Sequence, residues 1–354
     1  MRSHAMRTAG RLGGGMAALT VLVGCAVPGG GSGGGGAPTG NLGEALATVP
    51  AGHGAEESLY FSDLALGEYL GEGLTKAQLL DMTAASALGL GRFATFSQVD
   101  PEAVPAAGSD PATAITIGFP PDESYRFTGM DPDAVYERFA HYDSGRSTLG
   151  DGELLVRRED HGHDLTDPLG QPAALGMYNT VWWDEDVLVG ATAEAPVRAW
   201  VEPESTLAAE GTYDAVTECL GEEVVGAWLG TEGLDGGPFD TADRIDTLAI
   251  GHRPGREATS SEEGERDTAG LENVLCLEAA DATSAQEIAD GIRTDLEDGG
   301  TSSVHGQPWT DILVGPVIEV EGRVVELAVG GHTATLHDLV LQGDLPALTD
   351  GEVG

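Results

Sequence analysis

A repeated pattern constrains this chain more than any other feature. The segment Ile115-Thr116-Ile117-Gly118-Phe119-Pro120-Pro121 recurs as Leu248-Ala249-Ile250-Gly251-His252-Arg253-Pro254, at an offset of 133 residues. Each copy reads as a short buried strand that stops at a glycine turn, with proline forbidding continuation. The chain then returns as a strand, around Tyr125-Arg126-Phe127 in the first half and Val274-Leu275-Cys276-Leu277 in the second. A helix follows in both. In the first, Asp131 caps, Pro132 suits the opening turn, and Val135, Phe139 and Tyr142 share one face. In the second, Thr283 and Gln286 form a capping-box pattern ahead of Ile288, Ile292 and Leu296, and Gly299-Gly300 ends the helix.

A hairpin comes next in each half. Val181-Trp182-Trp183 turns through Asp184-Glu185-Asp186 into Val187-Leu188-Val189, and Val317 to Val320 turns at Glu321-Gly322 into Val324 to Val329. Closing helices follow, marked by Val197, Trp200 and Val201 and then by Leu336, Leu339 and Val340. Helical segments precede the units near Lys76 to Leu90 and Tyr213 to Leu229. This order predicts an α+β fold of two related, duplicated units, each an antiparallel sheet with helices on one face. The first spans 58–205 and the second 206–348, joined by one linker near Pro203 to Gly211, with 349–354 as a tail.

Charge narrows the function. Seventeen basic residues stand against 59 acidic ones, a formal charge of −42, and Lys76 is the only lysine. Nucleic-acid binding is excluded, because affinity for phosphate comes from Lys and Arg. Acid spread along the whole body either adapts it to a saline or alkaline exterior or attracts cations or a basic protein partner.

The N-terminus carries an address. Arg2, Arg7 and Arg11 precede a short apolar run from Met16 to Val23, far below the roughly 20 residues of a membrane span. Residues 1–24 therefore read as a signal peptide, and Leu22-Val23-Gly24-Cys25 resembles the lipobox of bacterial lipoproteins. That resemblance implies that Cys25 receives diacylglycerol and becomes the mature N-terminus. The acyl chains would hold the protein to the extracytoplasmic face of the cell membrane. The glycine-rich run from Pro28 to Gly40 predicts a flexible tether, taken as 25–57. Once Cys25 is lipidated, Cys219 and Cys276 remain as an even pair in an oxidising compartment. A disulfide between them would close a loop of about 58 residues, worth roughly 4 kcal/mol in the chain-entropy model.

Candidate chemistry is sparse. Glu159-Asp160-His161-Gly162-His163-Asp164 makes His161, His163 and Asp164 candidate metal ligands, since imidazole and carboxylate suit zinc or a similar ion. The neighbouring Gly and Pro equally read as a solvated loop. Asp143 to Glu153 lacks the order of an EF-hand, and the acidic loop Gly255 to Gly270 could hold cations only weakly. No G-x-S-x-G, S-x-x-K, H-E-x-x-H, P-loop or dinucleotide fingerprint is present, so no catalytic residue and no cofactor is assigned. Adjacent Trp182 and Trp183 on a strand face opposite sides; either both pack, or one meets solvent or a ligand. These features point to a lipid-anchored, non-catalytic binding or interaction module. The alternatives are a metal-dependent hydrolase using His161, His163 and Asp164, or the solute-binding receptor of an importer.

Overall fold

The computed structural model describes residues 42–71, 74–94, 111–140, 142, 145–167, 169, 171–231, 244–255, 271–332 and 334–346. In chain order the first half holds α1 (Leu42–Leu46), β1 (Ser58–Asp63), α2 (Leu64–Gly71), α3 (Lys76–Ser86), β2 (Thr113–Ile117), β3 (Ser124–Thr128) and α4 (Pro132–Phe139). It continues with β4 (Arg146–Leu149), β5 (Gly152–Val156), α5 (Gln171–Ala174), β6 (Thr180–Asp184), β7 (Val187–Ala191) and α6 (Glu194–Val201). The second half holds α7 (Leu207–Glu210), α8 (Asp214–Leu220), β8 (Gly226–Gly230), β9 (Ile245–Pro254) and β10 (Leu271–Ala279). It ends with α9 (Ala282–Glu297), α10 (Trp309–Ile312), β11 (Val314–Glu321), β12 (Val324–Gly330) and α11 (Ala334–Gln342).

These strands form one antiparallel sheet of twelve, in the order β11-β12-β10-β9-β8-β1-β2-β3-β7-β6-β5-β4. Two separate sheets were expected. Strands β1 and β8 make the difference, because they pair with each other as Leu59↔Leu229, Tyr60↔Trp228 and Phe61↔Ala227 and so fuse the halves. Read outward from this seam, β1-β2-β3-β7-β6 on one side matches β8-β9-β10-β12-β11 on the other. The described residues all belong to one compact unit.

Helices cover both faces of the sheet rather than one. On the first face Leu59, Phe61, Ile115, Ile117, Val189 and Trp182 continue into Leu229, Ala249, Cys276 and Ala328 as a single apolar cluster. Leu42 and Leu46 of α1, Val197 and Trp200 of α6, Leu207 of α7 and Val216 and Leu220 of α8 lie on it. The opposite face carries α4 over Tyr125, Phe127 and Trp183 in the first half. In the second half it carries α9, α10 and α11 over Leu248, Leu275, Val325 and Leu327. Strands buried on both faces are near-continuously apolar and lose the simple alternation that marks a half-exposed sheet. Each such side chain removed from water contributes about 1.5–3 kcal/mol.

Several local expectations change for identifiable reasons. The tether does not reach residue 57, since Leu42 and Leu46 are fully or almost fully buried and bind α1 to the core. Gly118 turns as expected, with φ 75°. Gly251 does not: β9 runs through it to Pro254, and a Cβ there would stand 2.6 Å from Leu220, so the glycine lets α8 lie flush on the strand. The N-cap of α9 is Asp281, which accepts from the Ser284 amide at 2.7 Å, and not Thr283. Arg146–Leu149 and Gly152–Val156 form a hairpin that carries the sheet to its far edge. The acidic segment 256–270 and Cys25 lie outside the described residues.

Candidate functional site

The disulfide between Cys219 and Cys276 is present, with the two Cα atoms 6.1 Å apart. It ties α8 to β10 in the middle of the second half.

The two halves differ in where their last helix goes. After β7 the chain enters α6 on the first face, where Val197 and Trp200 bury against Trp182 and Val189, and the Trp200 indole donates to Ser124 Oγ at 3.0 Å. After β12 it enters α11 on the opposite face, where Leu336, Leu339 and Val340 pack with Leu327 and Val329. On the first face α8 reaches β12, where Ala328 is buried, but no described helix lies over β11, whereas α6 covers both β7 and β6. Register pairs Val317 with Ala328, Glu319 with Glu326 and Glu321 with Val324 on that face. Val317 is 47% exposed in mid-strand.

A concavity of about 730 Å³ follows this edge. Ala215, Glu218 and Cys219 of α8 wall one side, Gln286 and Arg293 of α9 the other, with Ile318 to Glu321, Val324 and Glu326 between. Four carboxylates thus meet here: Glu218, Glu319, Glu321 and Glu326. Arg253 reaches Glu326 at 2.5 Å and Glu272 at 2.9 Å, and donates to the Cys219 carbonyl at 3.0 Å at the end of α8. The outer edge of β11 is blunted. Pro316 has no N–H to offer, and Arg293 Nη2 donates to the Ile318 carbonyl at 3.2 Å.

A second concavity, about 680 Å³, lies at one end of the first half and contains His53, Glu57, Phe119, Asp122, Asp160 and His161. His53 and His161 both adopt positive φ, 56° and 58°, in the left-handed region where side chains are strained. His161 donates its amide to the Thr192 carbonyl at 2.8 Å. Its ring lies 3.4 Å from Thr192 Oγ1 through Nδ1 and 3.6 Å from Asp122 through Nε2. Thr192 is buried and hydrogen-bonds the Pro121 carbonyl, so its hydroxyl is not a poised nucleophile.

The loop that holds His161, His163 and Asp164 is pinned. Asn179 is fully buried and its Nδ2 donates to Gly162 at 3.0 Å, Thr192 at 3.1 Å and Glu159 at 3.3 Å. Asp167 pairs with Arg157 at 2.6 Å and Arg158 at 2.7 Å, and Arg157 lies 4.3 Å over the Tyr142 ring. Asp164 accepts from Thr166 and Arg158, and these bonds, Thr166 foremost, hold its carboxyl down to about 2. His163 is exposed. Among the described residues no three His, Cys, Asp or Glu side chains are grouped to hold a metal ion. Trp182 and Trp183 face opposite sides and both pack: Trp182 donates to the Leu149 carbonyl at 2.9 Å, and Trp183 stacks on Phe139 at 5.7 Å.

Neither the uncovered face nor the blunted edge was foreseen from the pattern of the chain. The one available signal was β11 itself, whose Val-Ile-Glu-Val-Glu alternation is that of a half-exposed strand.

No protein-family model and no curated protein matches this chain. Among solved structures it is similar to one described as crystal form IV of TP0453, at 12% identity and a TM-score of 0.34, covering 86% of this chain and 98% of that one. A likeness at this level carries no argument about function.

Proposed function

We propose that this protein is a lipid-anchored, non-catalytic binding module on the extracytoplasmic face of the cell membrane. Its anchor is Cys25, and its binding surface is the first face of β11 and β12. The observation that carries the binding role is the contrast between the halves: one strand pair bears α6, while its counterpart offers Val317, Glu319 and Glu321 to solvent. The lipobox-like Leu22-Val23-Gly24-Cys25 supports the anchor. The disulfide suits an oxidising exterior, where such bridges persist. No described helix is long and apolar enough to cross a membrane. We also infer that the matched strand orders arose by duplication of one α+β unit, after which the last helix of the second copy moved to the other face.

Two measurements test the proposal. Radiolabelled palmitate should enter the wild-type protein and the membrane fraction should retain it, whereas Cys25→Ser should lose both; an equally labelled Cys25→Ser protein refutes the anchor. A photo-crosslinking residue at Val317 should trap a discrete adduct in intact cells that the same residue at exposed Ser147, on the far edge, does not. Equal trapping at the two positions refutes the binding surface.

A further inference from the structure

The partner's contact element can be specified from the counterpart half, on the reading above that the face of β11 and β12 is the binding surface. We infer that this face receives a basic amphipathic helix of a partner protein, laid beside α8 over β11 and the outer part of β12, much as α6 is laid over β7 and β6.

Three observations converge on that occupant. The first is internal precedent. Strands β7 and β6 occupy the place in the first half that β12 and β11 occupy in the second, and α6 covers them with Val197 and Trp200. An eight-residue helix is about 12 Å long, enough to cross two strands spaced about 4.8 Å apart.

The second is the character of the edge. In an antiparallel ladder the N–H and C=O of one residue point the same way, and the direction alternates along the strand. The Ile318 carbonyl accepts from Arg293 and so faces outward, which places Val320 outward as well, while Pro316 lies where the pairing register shifts. An added strand would meet a proline without a donor and a carbonyl already engaged by a guanidinium. Strand addition is thus opposed where the open face is not.

The third is charge. Val317, exposed, and Val324, half-buried, are the apolar side chains accessible on this face, bordered by Glu218, Glu319, Glu321 and Glu326. A helix with an apolar stripe flanked by Lys or Arg matches both parts, and steering by the acidic body would speed its arrival. A second copy of this chain does not match. With 17 basic residues against 59 acidic ones, two such surfaces repel.

The test uses two synthetic peptides of about 16 residues, each half Leu and half Lys. One is patterned with leucine at i, i+3, i+4 and i+7, the other with strict Leu-Lys alternation. Fluorescence anisotropy reads binding to the full chain carrying Cys25→Ser, to the same chain with Glu319→Lys and Glu321→Lys, and to a charge-matched control with Asp133→Lys and Glu137→Lys on exposed α4. Emission from the buried tryptophans verifies that each protein is folded. The helix-patterned peptide should bind about tenfold or more tightly than the alternating one. It should lose about tenfold in affinity in Glu319→Lys/Glu321→Lys and less than about twofold in the control. Alternating peptide binding as tightly, with the same sensitivity to Glu319 and Glu321, overturns the helix and leaves the surface standing. Equal effects of the two double variants remove the surface itself, and the inference falls with it.

Discussion

Acid should weaken this fold through one buried histidine, and the size of the effect follows from its surroundings. His252 lies in β9 and is 1% exposed. Its Nδ1 is 2.8 Å from Asn273 Oδ1 on the neighbouring strand, while Asn273 Nδ2 donates to the Gly331 carbonyl at 3.2 Å. The Asn273 amide is thereby oriented with its oxygen toward the imidazole, so neutral His252 donates from Nδ1. Burial disfavours the imidazolium and lowers its pKa from 6.5 to about 4, against a smaller upward pull from Asn273, with a further small lowering from nearby His337. The unfolded chain therefore takes up this proton first as pH falls. Stability is complete above about pH 6.5 and is lost progressively down to about pH 4, by roughly 3 kcal/mol in total. About 2.5 kcal/mol of that is gone by pH 4.5.

The perturbation is His252→Asn, whose amide can donate to Asn273 and cannot charge. Urea unfolding followed by tryptophan fluorescence, at pH 7.5 and pH 4.5, gives two free energies for each protein. Trp182, Trp183, Trp200, Trp228 and Trp309 are all buried, so the signal change on unfolding is large. The loss on acidification should be smaller in the variant by about 2.5 kcal/mol. The cavity left by the shorter side chain cancels in that difference, and His337 titrates in both proteins. Equal losses in the two would refute the assignment of His252 as a buried neutral group.

Other consequences are as direct. Replacing both Cys219 and Cys276 by serine should cost roughly 4 kcal/mol, read as a lower urea midpoint, and unreduced denatured protein lacking Cys25 should show no titratable thiol. Asp167→Ala leaves Arg157, 2% exposed at its side chain, without its carboxylate and should cost about 3–5 kcal/mol; a loss below about 1 kcal/mol would mean that the guanidinium rehydrates. Gly89→Ala would set a Cβ 2.1 Å from the Ala114 carbonyl oxygen and 2.4 Å from the Ser62 amide nitrogen, backbone that cannot yield. It should destabilise by about 3 kcal/mol or more, and an unchanged midpoint would contradict that packing.

A single sheet through both halves also bears on the importer-receptor alternative. Such a receptor closes on its ligand by a hinge between lobes, whereas β1 and β8 here share a continuous ladder.

Local rules settled much of this chain. The hairpins at Asp184–Val187 and Glu321–Val324, the Asp131 cap with Pro132 behind it, and the stripes of α6 and α11 follow from turn chemistry and periodicity within a few residues of sequence. The Cys219–Cys276 bridge followed from an even count of thiols, on the expectation of an oxidising compartment. What local rules could not decide was how the elements combine. A helix stripe states that one side must be buried but not against which face of a sheet, so α6 and α11, alike in pattern, lie on opposite faces. The β1–β8 seam pairs residues about 170 apart, and Gly251 serves a helix rather than a turn because of Leu220, about 30 residues away. Periodicity reports the environment that a residue needs, whereas long-range contacts decide which element supplies it. The open face of β11 exists because α11 found its apolar partners on the other side.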